Sequence, residues 1–116
     1  MSEQQKEAPR RTIPAAEVVR LTDLVGYQEG SVVSRTIVKR DTGNVTLFAF
    51  DQGQGLSEHT APFDALAHVL EGEAEIVISG KPSKVKAGEM VIMPANQPHA
   101  LTAVAKFKML LTMIRS

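Results

Sequence analysis

The sequence predicts an all-β protein, specifically a small antiparallel β-barrel or jelly roll. Short segments rich in β-branched or alternating apolar residues recur along the chain, and glycine or proline turns separate them. No convincing long helical pattern interrupts these segments. The chain has 116 residues, which suits a single domain, and closure into a barrel would protect its sheet edges.

Composition divides the chain into two parts. Residues 1–12 are charged and polar, which predicts a flexible N-terminal tail. Residues 13–116 contain the apolar segments and are predicted to form the single barrel domain. The first apolar segment, which runs from Ile13 to Val25, fits a short helix or an irregular strand, because its periodicity favours neither.

The predicted strands are bounded by turn residues. Residues 31–39 and 44–50 should form a hairpin around the turn at 41–44. The second of these strands is apolar on both alternating faces, so we expect it to be covered on both sides. Further strands are predicted at residues 65–70, 73–78, 83–86, 90–93 and 105–114.

Composition also excludes several classes of function. Lysine plus arginine and aspartate plus glutamate number 13 each, so no net charge attracts the chain to nucleic acid. The chain has no cysteine, which removes disulfides, thiolate nucleophiles and cysteine-ligated zinc. No apolar run approaches the roughly 20 residues that a membrane span requires. The N-terminus lacks the apolar stretch of a signal peptide, so a cytoplasmic location is expected.

Two glycine-bounded motifs contain the functional signal. In the first motif, five residues separate Gly53 from His59, and the motif ends at Gly72. In the second motif, five residues separate Gly88 from Pro94, with Asn96 and then His99 following the proline. Both motifs resemble those of the cupin superfamily, whose members are small β-barrels that often hold a metal. The resemblance covers about residues 18–114 and implies a single-domain, RmlC-like cupin barrel.

The resemblance also implies which positions would hold a metal. His59 and His99 occupy two of the four usual ligand positions, whereas Ala61 stands at the second histidine position and Ala65 at the glutamate position. Asn96 replaces a usual glycine, which is a mild change because asparagine tolerates a left-handed backbone.

The missing ligands leave three interpretations open. Two imidazoles alone leave a divalent ion short of the three protein ligands that zinc sites need. In the first interpretation, the barrel has become an apolar ligand pocket, in which Ala61 and Ala65 provide space. Alternatively, Asp64 or Glu58 supplies a ligand to iron, manganese, zinc or copper. In the third interpretation, water or substrate completes a weakly bound ion.

Two other features bear on partners and packing. Strand alternation places His68 on the opposite face from Ala65, so a packing or interface role is expected rather than metal binding. The resemblance implies a homodimer, formed through barrel faces or exchanged N-terminal strands, and a strand that is apolar on both faces is consistent with it.

Two functional hypotheses follow. In the first, the barrel binds a small organic ligand in a cavity lined by His59, Ala61, Phe63, Ala65 and His99. In the alternative, the chain is a metal-dependent cupin enzyme, such as a dioxygenase, isomerase or lyase, and uses His59 and His99 as metal ligands.

Overall fold

The structure, a computed structural model, describes residues 13–115, so the predicted tail at residues 1–12 lies outside the described residues. Within residues 13–115 the chain forms nine strands and one short 3₁₀ helix at Leu21–Asp23. The strands are β1 (Val32–Arg40), β2 (Gly43–Phe50), β3 (Gly55–His59), β4 (Asp64–Glu71), β5 (Glu73–Ile78), β6 (Lys81–Lys86), β7 (Met90–Met93), β8 (His99–Ala103) and β9 (Phe107–Ile114).

The strands form two antiparallel sheets that face each other. One sheet has five strands in the order β1-β2-β9-β4-β7, and the other has four in the order β3-β8-β5-β6. Buried residues of both sheets meet in one core, in which the rings of Phe50 and Phe107 stack with their centroids 4.4 Å apart. The prediction of an all-β antiparallel barrel or jelly roll is therefore confirmed.

Strand β2 is covered on both faces, as its sequence predicts. Phe50 is fully buried in the core between the sheets. Leu47 and Ala49 are fully buried on the opposite, outer face of the five-stranded sheet, where they pack with Val25. The outer face is therefore partly covered by a segment that precedes the first strand.

This covering segment comprises residues 21–27 and is irregular apart from its single 3₁₀ turn. Leu21, Leu24 and Tyr27 pack against the outer cluster around Leu47. The ammonium group of Lys108, which is 9% exposed, donates a hydrogen bond of 2.6 Å to the carbonyl of Thr22. The segment is thus fixed to β9 by a polar contact as well as by apolar packing.

Most predicted strands are present, with ends shifted by one or two residues. Strands β5 and β7 have the predicted bounds, whereas β9 begins at Phe107 instead of residue 105. Strands β3 and β8 were not among the predicted segments, although each contributes a histidine to the candidate site. Among the described residues, no helix is long and apolar enough to span a membrane.

Candidate functional site

The structure brings His59 and His99 together at one end of the four-stranded sheet. His59 is the last residue of β3, His99 is the first residue of β8, and the two are direct partners in the register of these antiparallel strands. Their Nε2 atoms lie 3.2 Å apart, and the rings meet edge to face with centroids 4.4 Å apart. His99 is buried at 4% exposure, whereas His59 is exposed, so the pair extends from the core to the protein surface.

Backbone carbonyls orient both rings. The Nδ1 atom of His59 lies 2.7 Å from the carbonyl oxygen of Ser57, and Nδ1 of His99 lies 3.3 Å from that of Gln97. A carbonyl oxygen can only accept, so a neutral ring that donates from Nδ1 carries its lone pair on Nε2. In the tautomer in which both Nδ1 atoms donate, the two lone pairs converge. A hydrogen bond between the Nε2 atoms forms either in the tautomer that carries a proton on one Nε2 atom or when one ring is doubly protonated.

Burial works against that double protonation. It lowers the pKa of His99 below the usual 6.5, the nearby His59 lowers it further, and the carbonyl of Gln97 opposes both effects. In the tautomer in which both Nδ1 atoms donate, the neutral pair therefore presents two converging acceptors. Such an arrangement favours a ligand that brings a hydrogen-bond donor, or a cation, to the space between the rings.

Two backbone contacts set the position of the turn that leads into β8. Ala95 donates its N–H to Oδ1 of Asp64 at 2.9 Å, and Asn96 donates its N–H to the carbonyl of Ala61 at 2.7 Å. Asn96 has φ of 65°, the left-handed conformation that its place in the motif predicts. These contacts join the segment after β3 to the turn before β8, and so help to position His99.

The alanines at the ligand positions differ in their surroundings. Ala65 is 2% exposed in the core between the sheets, where its strand partners are Met93 and Met113. Ala61 is half-buried and lies between β3 and β4, outside regular strand. Strand β3 ends at His59, so residues 59 and 61 do not belong to one regular strand.

The remaining predicted site residues have other contacts. The carboxylate of the exposed Asp64 accepts the N–H of Ala95, as described above. Phe63 is half-buried, with the guanidinium of Arg115 at 5.2 Å from its ring centroid. Glu58 is exposed on β3. Roles for Asp64 in metal binding and for Phe63 in the cavity stay predictions.

The histidine pair has the spacing that a shared metal ion requires. Two imidazole nitrogens bound to one tetrahedral ion at about 2.0–2.1 Å lie about 3.3 Å apart, and the observed Nε2 separation is 3.2 Å. The carbonyl at each Nδ1 is also a usual second partner of metal-bound histidine. Within residues 13–115, no three histidine, cysteine or acidic residues form a group that could hold a metal. Water or a bound ligand would have to complete the coordination.

His68 lies away from this pair, as strand alternation predicts. Its neighbours in β4, Ala67 and Val69, are buried between the sheets, so His68 faces outward. Its partners on the adjacent strands are Met90 and Leu110. His68 therefore belongs to the outer face of the five-stranded sheet.

The groups that orient the pair could not be identified from the sequence. The carbonyls of Ser57 and Gln97 are backbone atoms, so no residue type at these positions identifies them. The only available signal is that each precedes its histidine by two residues, a regularity visible once both histidines are recognised.

Comparison with known proteins agrees with this architecture. The family model described as the cupin domain matches residues 46–115, so the chain belongs to the cupin family. None of the curated proteins matches its sequence significantly.

Several solved structures are similar over most of the chain. A conserved protein of unknown function from Streptococcus pyogenes is 38% identical, with a TM-score of 0.89, over 94% of this chain and 96% of its own. A cupin superfamily protein from Desulfitobacterium hafniense is 27% identical, with a TM-score of 0.87, over 94% of this chain and 100% of its own. A cupin 2 conserved barrel domain protein from Leptotrichia buccalis is 42% identical, with a TM-score of 0.78, over 81% of this chain and 46% of its own.

Proposed function

We propose that the protein binds a small organic ligand at the end of the barrel where His59 and His99 meet. The convergence of the two Nε2 atoms at 3.2 Å, with a backbone carbonyl beside each Nδ1, is the observation that supports this proposal. A ligand hydroxyl or N–H group would replace the repulsion between two lone pairs with hydrogen bonds.

The surroundings of the pair suggest the rest of the ligand's chemistry. The strand partner of His99 on β5 is the half-buried Ile78, which packs against the core between the sheets. Its side chain provides apolar contact without a charge. We therefore expect a small molecule with an apolar body and a neutral donor group, which is the usual balance of an organic ligand site.

A binding screen tests this proposal. Small alcohols, phenols and amides would be screened against the full chain by ligand-observed NMR, and the imidazole ¹⁵N signals would be recorded with each hit. We expect hits to shift the signals of both His59 and His99, and the double variant His59→Ala/His99→Ala to lose binding. The matched control His68→Ala should retain it, since His68 lies on the outer face. Hits that survive the double variant would refute the site.

A metal-dependent enzyme is the second candidate, and the 3.2 Å separation of the Nε2 atoms specifically favours it. His59 and His99 would hold the ion, while the carbonyls of Ser57 and Gln97 would keep their Nε2 lone pairs directed at it. A bound ion would supply Lewis-acid polarisation of a substrate oxygen.

Metal analysis separates the two candidates. Protein purified without an affinity tag or chelator would be analysed for iron, manganese, zinc and copper, beside the same double variant and the His68→Ala control. Near-stoichiometric metal that only the double variant loses would favour the enzyme. Wild-type protein that is metal-free, and that fails to bind each of the four added ions, would rule out the metal-dependent candidate.

A further inference from the structure

A groove of about 300 Å³ lies beside the turn between β1 and β2, where β9 also ends. Its floor is a row of strand partners on β1, β2 and β9, namely Val38, Val45 and Thr112. Val45 lies two residues before Leu47, which is buried on the outer face of the five-stranded sheet, so this row also faces outward. The groove therefore opens away from the barrel interior, in which His99 is buried.

Two arginines border the groove. Arg40 is the last residue of β1, Arg115 directly follows β9, and both are exposed. Arg40 donates one N–H to the carbonyl of Lys39 at 3.0 Å, and the guanidinium of Arg115 lies 5.2 Å from the ring centroid of Phe63. Neither contact brings a negative charge, and among the described residues neither guanidinium forms an ion pair. The border of the groove is therefore positively charged.

The acidic residues close to these arginines in the chain or in the sheet do not line the groove. Asp41 follows Arg40 in the turn, and Asp64 is the strand partner of Ile114, but the lining residues include neither carboxylate. The carboxylate of Asp64 instead accepts the N–H of Ala95. A bound anion would thus meet two guanidinium groups and no lining carboxylate.

The groove combines this charge with apolar surface. Val38 and Val45 are half-buried in its floor, and Ile114, which is 58% exposed, lines it next to Arg115. A volume of about 300 Å³ is at the lower end of the roughly 300–1,000 Å³ that small-molecule sites occupy. The matching occupant is therefore a small molecule that has an apolar chain and one anionic group.

We propose that this groove is a second ligand site, which binds a small organic carboxylate with an aliphatic tail. Guanidinium groups bind carboxylates through paired, charge-assisted hydrogen bonds, which Arg40 and Arg115 would donate. The tail would lie along Val38 and Val45, where it leaves water. The site goes beyond the function proposed above, because it binds an anion outside the barrel, whereas the histidine pair is expected to bind a neutral donor group.

Titration of the full chain with octanoate, followed by ¹H–¹⁵N NMR, tests the site and its chemistry. We expect saturable shifts of the amide signals of Val45 and Thr112, which line the groove. The alcohol octanol, which lacks the charge, and inorganic phosphate, which lacks the tail, should each bind at least about ten-fold more weakly. Hexanoate should also bind roughly ten-fold more weakly, since each buried methylene contributes a factor of about four. Equal binding of octanol or phosphate, or the absence of saturable shifts, would overturn the proposal.

Charge-removing variants locate the carboxylate. Arg40→Gln and Arg115→Gln should each weaken octanoate binding at least about five-fold, because each removes one guanidinium from the border. Lys39→Gln is the matched control and should leave binding unchanged, since it removes the same charge from the exposed residue beside Arg40 that does not line the groove. Octanoate binding that both arginine variants keep would refute the site.

The double variant His59→Ala/His99→Ala separates this site from the histidine pair. It should bind octanoate as the wild type does, because the groove opens away from the barrel interior. Loss of octanoate binding in the double variant would assign the carboxylate to the histidine pair and would overturn the proposal.

Discussion

The pairing of His59 with His99 depends on backbone atoms as much as on the imidazoles. The carbonyls of Ser57 and Gln97 each accept from Nδ1 in the tautomer that leaves the two Nε2 atoms as facing acceptors. His99 is buried whereas His59 is exposed, so solvent reaches the contact from one side only. The pair is therefore arranged to bind a ligand through its Nε2 atoms. It also makes the free energy of unfolding depend on pH.

We expect the free energy of unfolding to fall as the pH falls below about 6.5 because of His99. In the unfolded chain this histidine titrates near 6.5, whereas burial and the neighbouring His59 lower its pKa in the folded protein. The unfolded state then binds the proton first, so stability present above pH 6.5 is lost between that pH and the lowered pKa. Urea unfolding at a series of pH values from 7.5 to 5 measures this loss.

The variant His99→Gln isolates the contribution of the buried histidine from that of the acidic residues, which also lose stability in acid. Its stability should fall less steeply than that of wild type over the same pH range. His68→Gln is the control and should keep the contribution of His99, because His68 lies on the outer face of the sheet. Equal slopes for wild type and His99→Gln would show that the lowered pKa does not affect folding.

At the level of the individual residue, the sequence predicted the approach of the two histidines but not their orientation. The family resemblance implied that His59 and His99 share one site, and the structure pairs them across β3 and β8. The use of Asp64 as an acceptor for Ala95 could not be predicted, because it depends on a contact between the start of β4 and a turn 31 residues further along the chain.

The covering segment shows how one element depends on a buried charge. The ammonium of Lys108 donates to the carbonyl of Thr22 and lies 3.9 Å from the carboxylate of Glu71. Tyr27 donates a 2.6 Å hydrogen bond to the same carboxylate, and burial together with this bond raises its pKa. The segment therefore packs through a small polar network inside an apolar cluster.

We expect Lys108→Met to lower the free energy of unfolding by about 1–3 kcal/mol, since it leaves a part-buried carbonyl without its donor while it keeps an apolar stem. Lys106→Met is a matched control: Lys106 also approaches the ring of Tyr27, at 5.5 Å, but is exposed. Urea unfolding measures both variants, and Tyr27, the only tyrosine, reports on the segment by fluorescence. If Lys108→Met and Lys106→Met lowered the free energy of unfolding equally, the contact of Lys108 with Thr22 would contribute nothing to stability.

Among the elements, strands bounded by clear turns and rich in branched apolar residues were the ones that the sequence predicted. Strands β5 and β7 are such segments, and their bounds were predicted as observed. Strands β3 and β8 were not predicted from the sequence because their segments, GLSEH and HALTA, lack a run of β-branched residues. Pairing with neighbouring strands determines their conformation, and single-sequence propensity does not register such pairing.

For the molecule as a whole, the two sheets are joined at a crowded crossing. The chain passes from the five-stranded to the four-stranded sheet at Gly72, between β4 and β5, and returns between β8 and β9 near Lys106. Gly72 has φ of +81°, and a Cβ atom there would overlap the backbone carbonyl of Lys106. A side chain at this position would force the two crossings apart, and with them the two sheets.

Gly72→Ala and Gly88→Ala form a matched pair that measures this crowding. Gly88 has nearly the same conformation, with φ of +87°, but a Cβ atom there would meet nothing within 4 Å. We expect Gly88→Ala to cost about 1–2 kcal/mol, the strain of a left-handed alanine alone. Gly72→Ala should cost more than about 3 kcal/mol, because the backbone overlap adds to that strain. Urea unfolding followed by circular dichroism measures both costs. Equal costs would mean that the crossing can relax without disturbing the sheets, and that only the local conformation of Gly72 requires glycine.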